Sequence, residues 1–499
     1  MMGKLWLLCA LVIGPLICMP VPLSAQTPSW SSPVQLSETG QFSWFSDVAA
    51  DRSGQVHVVW ASFITGYDAV MYATSKNGLD WTPPTDILAL PYTGAATRPI
   101  ITFDLQGNAH LVGRNDHKMV YHRVPVYDLQ TLPRWPPEKD MSQIGGAYFS
   151  AIAIGPDGRL HLIFTENPRV EECLTCYAIF YRQSRDGGTS WTDPILLTPA
   201  GNGAIKPQIL ASRTGALHLV WDAGRGGGLA QVVGSTQVSY MTSRDGGTTW
   251  SDPIEFSGSS AGYPGSSGRF ITIGEDGGGK LIVVWLKLPD DVPHYQVSSD
   301  GGLNWSAPAP LPGVFGIWSV IESGLDTYSM ATDSAGHIHL VMVGRLDRGA
   351  KLPNLIHLTW DGSSWSEPEV IFTPLGSTPI WPRIAIGLGN QLHVTWSTAN
   401  NIFGTDAADA DFRIWYSRKS ISAPAVQPVV YPTPTLPPLP TATRSTLQNL
   451  PTPPPVNLSP SEITFNALKT EVDDYGLIAL SVAPVALFFF ALLLYRRRR

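Results

Sequence analysis

Seven positions in this chain carry side chains suited to gripping a ligand, and one spacing finds them all. A histidine recurs at positions 57, 110, 161, 218, 339 and 393, with Ile282 once in the corresponding place. Twelve residues before these stand Phe45, Arg98, Phe149, Lys206, Phe270, Thr327 and Trp381, with Trp44, Tyr148, Arg269 and Tyr328 adjacent. A few residues after them come Arg114, Asp116, Glu166, Asp222, Arg225, Lys287 and Arg345. Aromatic faces interleaved with guanidinium groups and carboxylates suit a carbohydrate or an anion. Rings stack on sugar faces, and Arg forks hold carboxylates through two parallel hydrogen bonds. The same residue types also fit buried ion pairs that fill a channel, and both readings stay open. The histidine itself is expected to pack or to bond a turn. Metal ligands converge on one point, whereas these repeat along the chain.

The positioning element is a hairpin written seven times. Its copies are DRSGQVHVVW (51–60), DLQGNAHLVG (104–113), GPDGRLHLIF (155–164), SRTGALHLVW (212–221), DGGGKLIVVW (276–285), DSAGHIHLVM (333–342) and GLGNQLHVTW (387–396). A repeat of roughly fifty to sixty residues is the length of a four-stranded propeller blade. A second motif follows the third strand: SRDGGTSW (184–191), SRDGGTTW (243–250) and SSDGGLNW (298–305), with shortened forms SKNGLDW (75–81) and TWDGSSW (359–365). Here Asp is placed to accept backbone N–H bonds across a turn, Gly supplies positive φ, and Trp is expected to pack between sheets. The outer strand opens with Trp-x-x-Pro at Trp81, Trp191, Trp250, Trp305 and Trp365, more loosely at Trp135. The last repeat lacks its own copy, and WSSPVQLS (30–37) supplies one at the other end. The N-terminal strand is therefore expected to complete the seventh blade and close the ring. The chain reads as an all-β, seven-bladed propeller whose ligand mouth lies where first strands begin and second strands end.

The Asp-Gly-Gly turns resemble the Asp-box (BNR repeat) of sialidases and related β-propellers, and over 28–422 the chain looks like that superfamily. The resemblance implies an Arg clamp on a ligand carboxylate, an Asp acid/base and a Tyr nucleophile paired with Glu, an exception to the two-carboxylate rule. Carried onto this sequence, Tyr328 takes the nucleophile's place, Asp116 or Asp47 the acid's and Glu166 the partner's. Arg225, Arg269 and Arg345 then stand for the clamp. Departures are plain: QFSWFSDVAAD (41–51) replaces a Phe-Arg-Ile-Pro opening, and Lys206-Pro207-Gln208 stands where the Glu should start a strand. Sialidases have six blades where seven are counted here.

The ends of the chain are equally legible. Residues 1–25 read as a signal peptide, with one Lys, an apolar run and small Ala25 before the cleavage point. The ectodomain spans 26–422, and 423–474 is a stalk whose Pro/Thr-rich part cannot bury a core and is expected to be extended. An uncharged apolar run, 475–495, follows Asp473 and Asp474 and precedes Arg496–Arg499. That pattern predicts one transmembrane helix with the Arg tail (496–499) in the cytoplasm and the body outside the cell. Net charge is −7 despite the terminal arginines, which argues against a nucleic-acid partner. Outside the cytosol, Cys173 and Cys176 are expected to form a small disulfide loop in preference to half a zinc site. Asp406, Asp409 and Asp411 offer carboxylates for Ca²⁺ or form a solvated acidic loop. No other cofactor is indicated. Three functions are carried forward: a membrane-anchored propeller binding glycan or protein at its mouth, a sialidase-type glycoside hydrolase, and a structural module.

Overall fold

The computed structural model describes residues 29–64, 67–90, 97–129, 136–224, 236–257, 267–317, 327–374, 377–400 and 411–431. The expected signal peptide, transmembrane span and Arg tail lie outside these residues, as do Arg225, Asp406 and Asp409. Asp411 opens a strand. Among the described residues no helix is long and apolar enough to cross a membrane, and no group of three or more His, Cys, Asp or Glu is placed to hold a metal ion.

Seven four-stranded antiparallel sheets follow one another as blades I to VII. Blade I is built from Phe42–Ala50, Val56–Ile64, Tyr67–Ser75 and Thr85–Leu90, and this order repeats. Second strands are apolar on both faces because each blade is covered by two neighbours. Leu217–Ala223 of blade IV, for instance, is buried at every residue. The core therefore lies between blades, as where Ile163 and Tyr181 of blade III meet Leu217, Leu219 and Trp221 of blade IV. Blade VII takes three strands from the end of the ring (Thr378–Gly387, Gln391–Asn400, Asp411–Ser420) and its fourth, Val34–Gln35, from the beginning. Val34 pairs with Tyr416 and Gln35 with Trp415, and Ser31 N–H donates to Arg418 O at 2.9 Å. The N-terminal strand closes the ring, as the misplaced Trp-x-x-Pro copy predicts.

The repeated turns hold the blades to one another. Asp186 Oδ1 accepts from Ser190 N–H at 2.8 Å, while Ser184 Oγ accepts from Gly188 N–H at 2.8 Å. Asp245 and Asp300 repeat the arrangement with Thr249 and Asn304, both at 2.9 Å. The following Trp then reaches back to a Tyr on the third strand of the preceding blade. Trp191 stands edge-on to Tyr121 at 5.0 Å, Trp250 to Tyr181 at 5.3 Å and Trp305 to Tyr240 at 5.1 Å. Trp81 meets Tyr416 in the same way at 4.7 Å, across the closure seam. These tyrosine hydroxyls are hydrogen bonded to the recurrent histidines. The His110–Tyr121, His161–Tyr181 and His218–Tyr240 bonds are each 2.8 Å, and His393–Tyr416 is 2.7 Å. In blades I, II and VI the other ring nitrogen faces a turn carboxylate: Asp51 at 3.4 Å, Asp104 at 3.3 Å and Asp333 at 3.2 Å. An Asp–His–Tyr line would suggest a proton relay in an exposed cleft. Here its histidines are buried, each line ties the strands of one blade together, and in blade VI His357 takes the tyrosine's place at 2.9 Å from His339.

Beyond the last strand the chain stays on the ring. Residues 423–431, which composition assigns to the stalk, cross the hairpin turns between first and second strands. Val426 N–H donates to Leu388 O and Val429 N–H to Arg52 O, both at 2.8 Å, and Arg52 N–H donates to Tyr431 Oη at 3.2 Å. Tyr431 packs so closely on Gly107 that a Cβ there would lie 2.5 Å from its ring. The strap thus links blades VII, I and II across the seam that the two-residue strand closes. Ending the chain at Ser420 in place of Tyr431 is expected to lower stability by about 1–2 kcal/mol, measured as an earlier urea midpoint.

Candidate ligand-binding site at the axial mouth

Five of the seven first-strand positions adopt a backbone that side chains disfavour. Phe45, Arg98, Lys206, Phe270 and Trp381 have φ of 52°, 60°, 50°, 60° and 55°. At each, the ladder to the second strand skips, for example between Trp44 and Asp47 and between Ile205 and Gln208. These are bulges, which re-aim a side chain at a local backbone cost. Phe45, Phe149, Ile205, Ile380, Trp381 and Phe412 form one buried cluster, with Trp44, Tyr148 and Tyr177 half-buried against it.

Arg98 is the centre of this cluster. Its guanidinium carbon lies 4.2 Å from the ring centroids of both Phe45 and Tyr148 and 4.7 Å from that of Phe149. Arg98 is 5% exposed, and its Nε is buried without a hydrogen-bond partner. Burial lowers its pKa, the nearby Arg114 charge adds to the lowering, and among the described residues only Tyr148 and Tyr177 oppose it among the leading influences. Arg114 lies over the same ring, 5.3 Å from the Tyr148 centroid, and its Nε donates to Asp116 O at 2.6 Å. Tyr177 stacks on Tyr148 at 5.2 Å. Two cations and two phenols therefore lie together, Arg98 buried and Arg114, Tyr148 and Tyr177 half-buried beside it.

The carboxylates near the axis are used differently. Asp222 accepts from Phe270 N–H at 3.1 Å and Ile271 N–H at 3.2 Å, locking the bulge of the next blade. Asp47 likewise accepts from Ile101 N–H at 2.9 Å and lies 3.9 Å from Arg383. Burial raises the pKa of both, against Lys206 for Asp222 and Arg383 for Asp47. Glu166, fully buried, accepts from Gln143 N–H at 2.9 Å and Ile144 N–H at 2.9 Å, so it shapes the loop leading to Tyr148. Its pKa is also raised by burial. Lys206 lies 4.6 Å from the Phe270 centroid. The cavity left on the axis between Arg98, Lys206, Thr327 and Trp381 measures about 20 Å³, room for a water molecule.

The remaining predicted residues occupy separate settings. Tyr328 is 1% exposed, with its ring 5.6 Å from Phe270 and its carbonyl accepting from Gln208 Nε2 at 3.1 Å. Asp116 is exposed at a hairpin tip, 3.3 Å from His117. Arg269 precedes the Phe270 bulge, and burial lowers its pKa against the Asp222 charge. Arg345 is engaged by Asp291 and by Gly316 O and Arg348 O, both at 2.9 Å. Cys173 and Cys176 are joined by a disulfide in the hairpin that ends at Tyr177. The deeper predicted positions are thus buried near the axis, while Arg114, Tyr148 and Tyr177 are only half-buried. Counting from first and second strands misses Tyr177, which directly precedes the third strand Ala178–Ser184. Its position directly after Cys176 was the available signal.

No family model matches the chain, and no curated protein matches it. Solved structures resemble its trace. A Dyadobacter fermentans protein of unknown function has 14% identity, 79% of this chain and 99% of that chain covered, and a TM-score of 0.48. An ulvan lyase from a polysaccharide lyase family has 11% identity, coverage of 75% and 95%, and a TM-score of 0.48. The intramolecular trans-sialidase of Ruminococcus gnavus has 13% identity, coverage of 78% and 96%, and a TM-score of 0.42. These likenesses concern the fold. The seven sheets and the Asp-Gly-Gly turn bonding decide the class. The chain is a seven-bladed β-propeller. In this propeller, the mouth residues of blades I, II, III and VII build the aromatic collar, and those of blades IV and V form the Lys206–Asp222 group.

Proposed function

We propose that the protein binds an acidic glycan at the rim formed by Arg98, Arg114, Tyr148 and Tyr177. The observation that carries this reading is Arg98, a buried guanidinium held by aromatic faces with no carboxylate paired to it among the described residues. A buried cation is costly without an anion nearby. A ligand carboxylate or sulfate docking on Arg114 beside it supplies one, while Tyr148 and Tyr177 offer ring faces and hydroxyls to the sugar. Sequence features at the chain's ends support display on the cell membrane: a signal-peptide pattern at 1–25, a Pro/Thr-rich stretch beyond the strap and an apolar span at 475–495. Protease protection of only the extreme C-terminus in sealed cells is the check on that placement.

The test is titration of the purified protein with 3′-sialyllactose, a sulfated disaccharide and lactose. Binding is expected for the acidic sugars alone, weakening with salt, and Arg114→Met should weaken it about ten-fold or more, as loss of a charged hydrogen bond does. Equal binding of lactose, or indifference to Arg114→Met, would sink the reading. Burial of the Tyr328 ring against Phe270 does not favour the hydrolase alternative. Turnover of a fluorogenic sialoside, abolished in Tyr328→Phe, would restore it.

A further inference from the structure

A larger cleft lies over the mouth-side end of blade IV, away from the collar. It measures about 580 Å³ and is bounded by Thr198, Asn202, Trp221, Gln237, Ser239 and Glu255, a size in the range of small-ligand sites. Its chemistry differs from that of the rim. The wall holds hydroxyls, two amides and one carboxylate beside an indole, and among the described residues no Lys, Arg or His lines it. Such a set exchanges hydrogen bonds with a ligand rich in hydroxyls and repels an anion.

The walls are already in place. Gln237 Nε2 donates to Glu255 Oε2 at 3.1 Å, which orients both groups, and Thr198 Oγ1 accepts from Ile179 N–H at 2.9 Å. Gly224 N–H donates to Gly203 O at 3.2 Å, and Ala204 N–H to Tyr177 O at 2.9 Å, so the linker from blade III is tied down on two sides. Trp221 pairs with Ser239 and Ser239 with Glu255 across three adjacent strands. The backbone of this wall is thus occupied by its own ladder except at the edge strand Ile254–Glu255, whose two residues offer an extended peptide little to pair with. A neutral sugar needs no such edge. It uses side-chain amides, hydroxyls and a carboxylate, which are the groups presented.

We propose that this cleft is a second ligand site, for a neutral oligosaccharide, distinct in charge preference from the rim at the axis. The inference does not depend on what the rim binds. Titration calorimetry with xylotriose, cellotriose, maltotriose and N,N′,N″-triacetylchitotriose tests it on the intact protein. At least one is expected to bind. Gln237→Ala combined with Glu255→Ala should weaken that binding about ten-fold or more through lost hydrogen bonds to a charged group, and Arg114→Met should leave it unchanged. Asn202→Ala, at an exposed position, serves as a second variant whose folding is not in question, and it too should weaken binding. Failure of all four sugars to bind the folded protein would overturn the proposal. So would binding that survives both groove variants, or that is lost only in Arg114→Met, which would place the sugar at the rim.

Discussion

Gly247→Ala is expected to lower the free energy of unfolding by about 3–5 kcal/mol, from left-handed backbone strain plus overpacking. Its φ is +91°, and a Cβ there would lie 1.9 Å from the Tyr181 hydroxyl oxygen. The clash has no easy relief. Tyr181 is fully buried, its hydroxyl is hydrogen bonded to His161 at 2.8 Å, and Trp250 stands against its ring. Gly188 against Tyr121 at 1.7 Å and Gly302 against Tyr240 at 1.8 Å should behave alike. Gly215 separates the two contributions, because its φ is +87° with nothing within 4 Å of the added Cβ. Gly215→Ala should therefore show only the backbone cost, about 1–2 kcal/mol. Urea denaturation of the four variants is the measurement. Equal losses at Gly215 and Gly247 would show that the inter-blade contact contributes nothing.

Acid should weaken the ring well before the aspartates of its repeated turns protonate. Burial lowers the pKa of His161, His218 and His357 from 6.5 to about 4, and that of His393 to about 3. These rings are neutral in the folded protein, while the unfolded chain takes up protons below pH 6.5. Their contribution is thus complete above pH 6.5 and is lost as pH falls toward 4. A loss on the order of 2 kcal/mol per histidine is expected across that window. Asp245, Asp300 and Asp361 are held to about 2, chiefly by hydrogen bonds from Thr249, Asn304 and Ser364, so their turns persist until the pH is far lower. Urea midpoints measured from pH 7.5 to 4.5 should fall steadily. The His218→Gln protein should be weaker at pH 7.5 but show a shallower fall. A midpoint constant over that range would contradict the assignment of neutral, buried histidines.

How far these features were legible depends on whether they are local. The seven blades, the Asp-box turns and the ring closure by WSSPVQLS can be read from residues within a few positions of each other, repeated at one period. Turn chemistry and strand alternation act over that distance, so sequence determines them directly. The recurrent His was legible as a packing residue for the same reason, though its Tyr partner lies on the following strand and its Trp on the next blade.

The mouth is a different matter. Phe45, Arg98, Phe149 and Trp381 are brought together only by the circular closure, since they belong to four blades spread over most of the ring. Repeat spacing identified them as neighbours of the axis. It could not distinguish side chains buried near the axis from those left half-buried, because that turns on first-strand bulges with left-handed residues. Those bulges are held by carboxylates from adjacent blades, Asp222 for Phe270 and Asp47 for Ile101. Tyr177, the strap ending at Tyr431 and the cleft over blade IV were likewise settled by contacts across blades. The sequence by itself determined the unit and its number. The packing of units around the axis decided which of its polar groups are buried in structural roles and which stay half-buried.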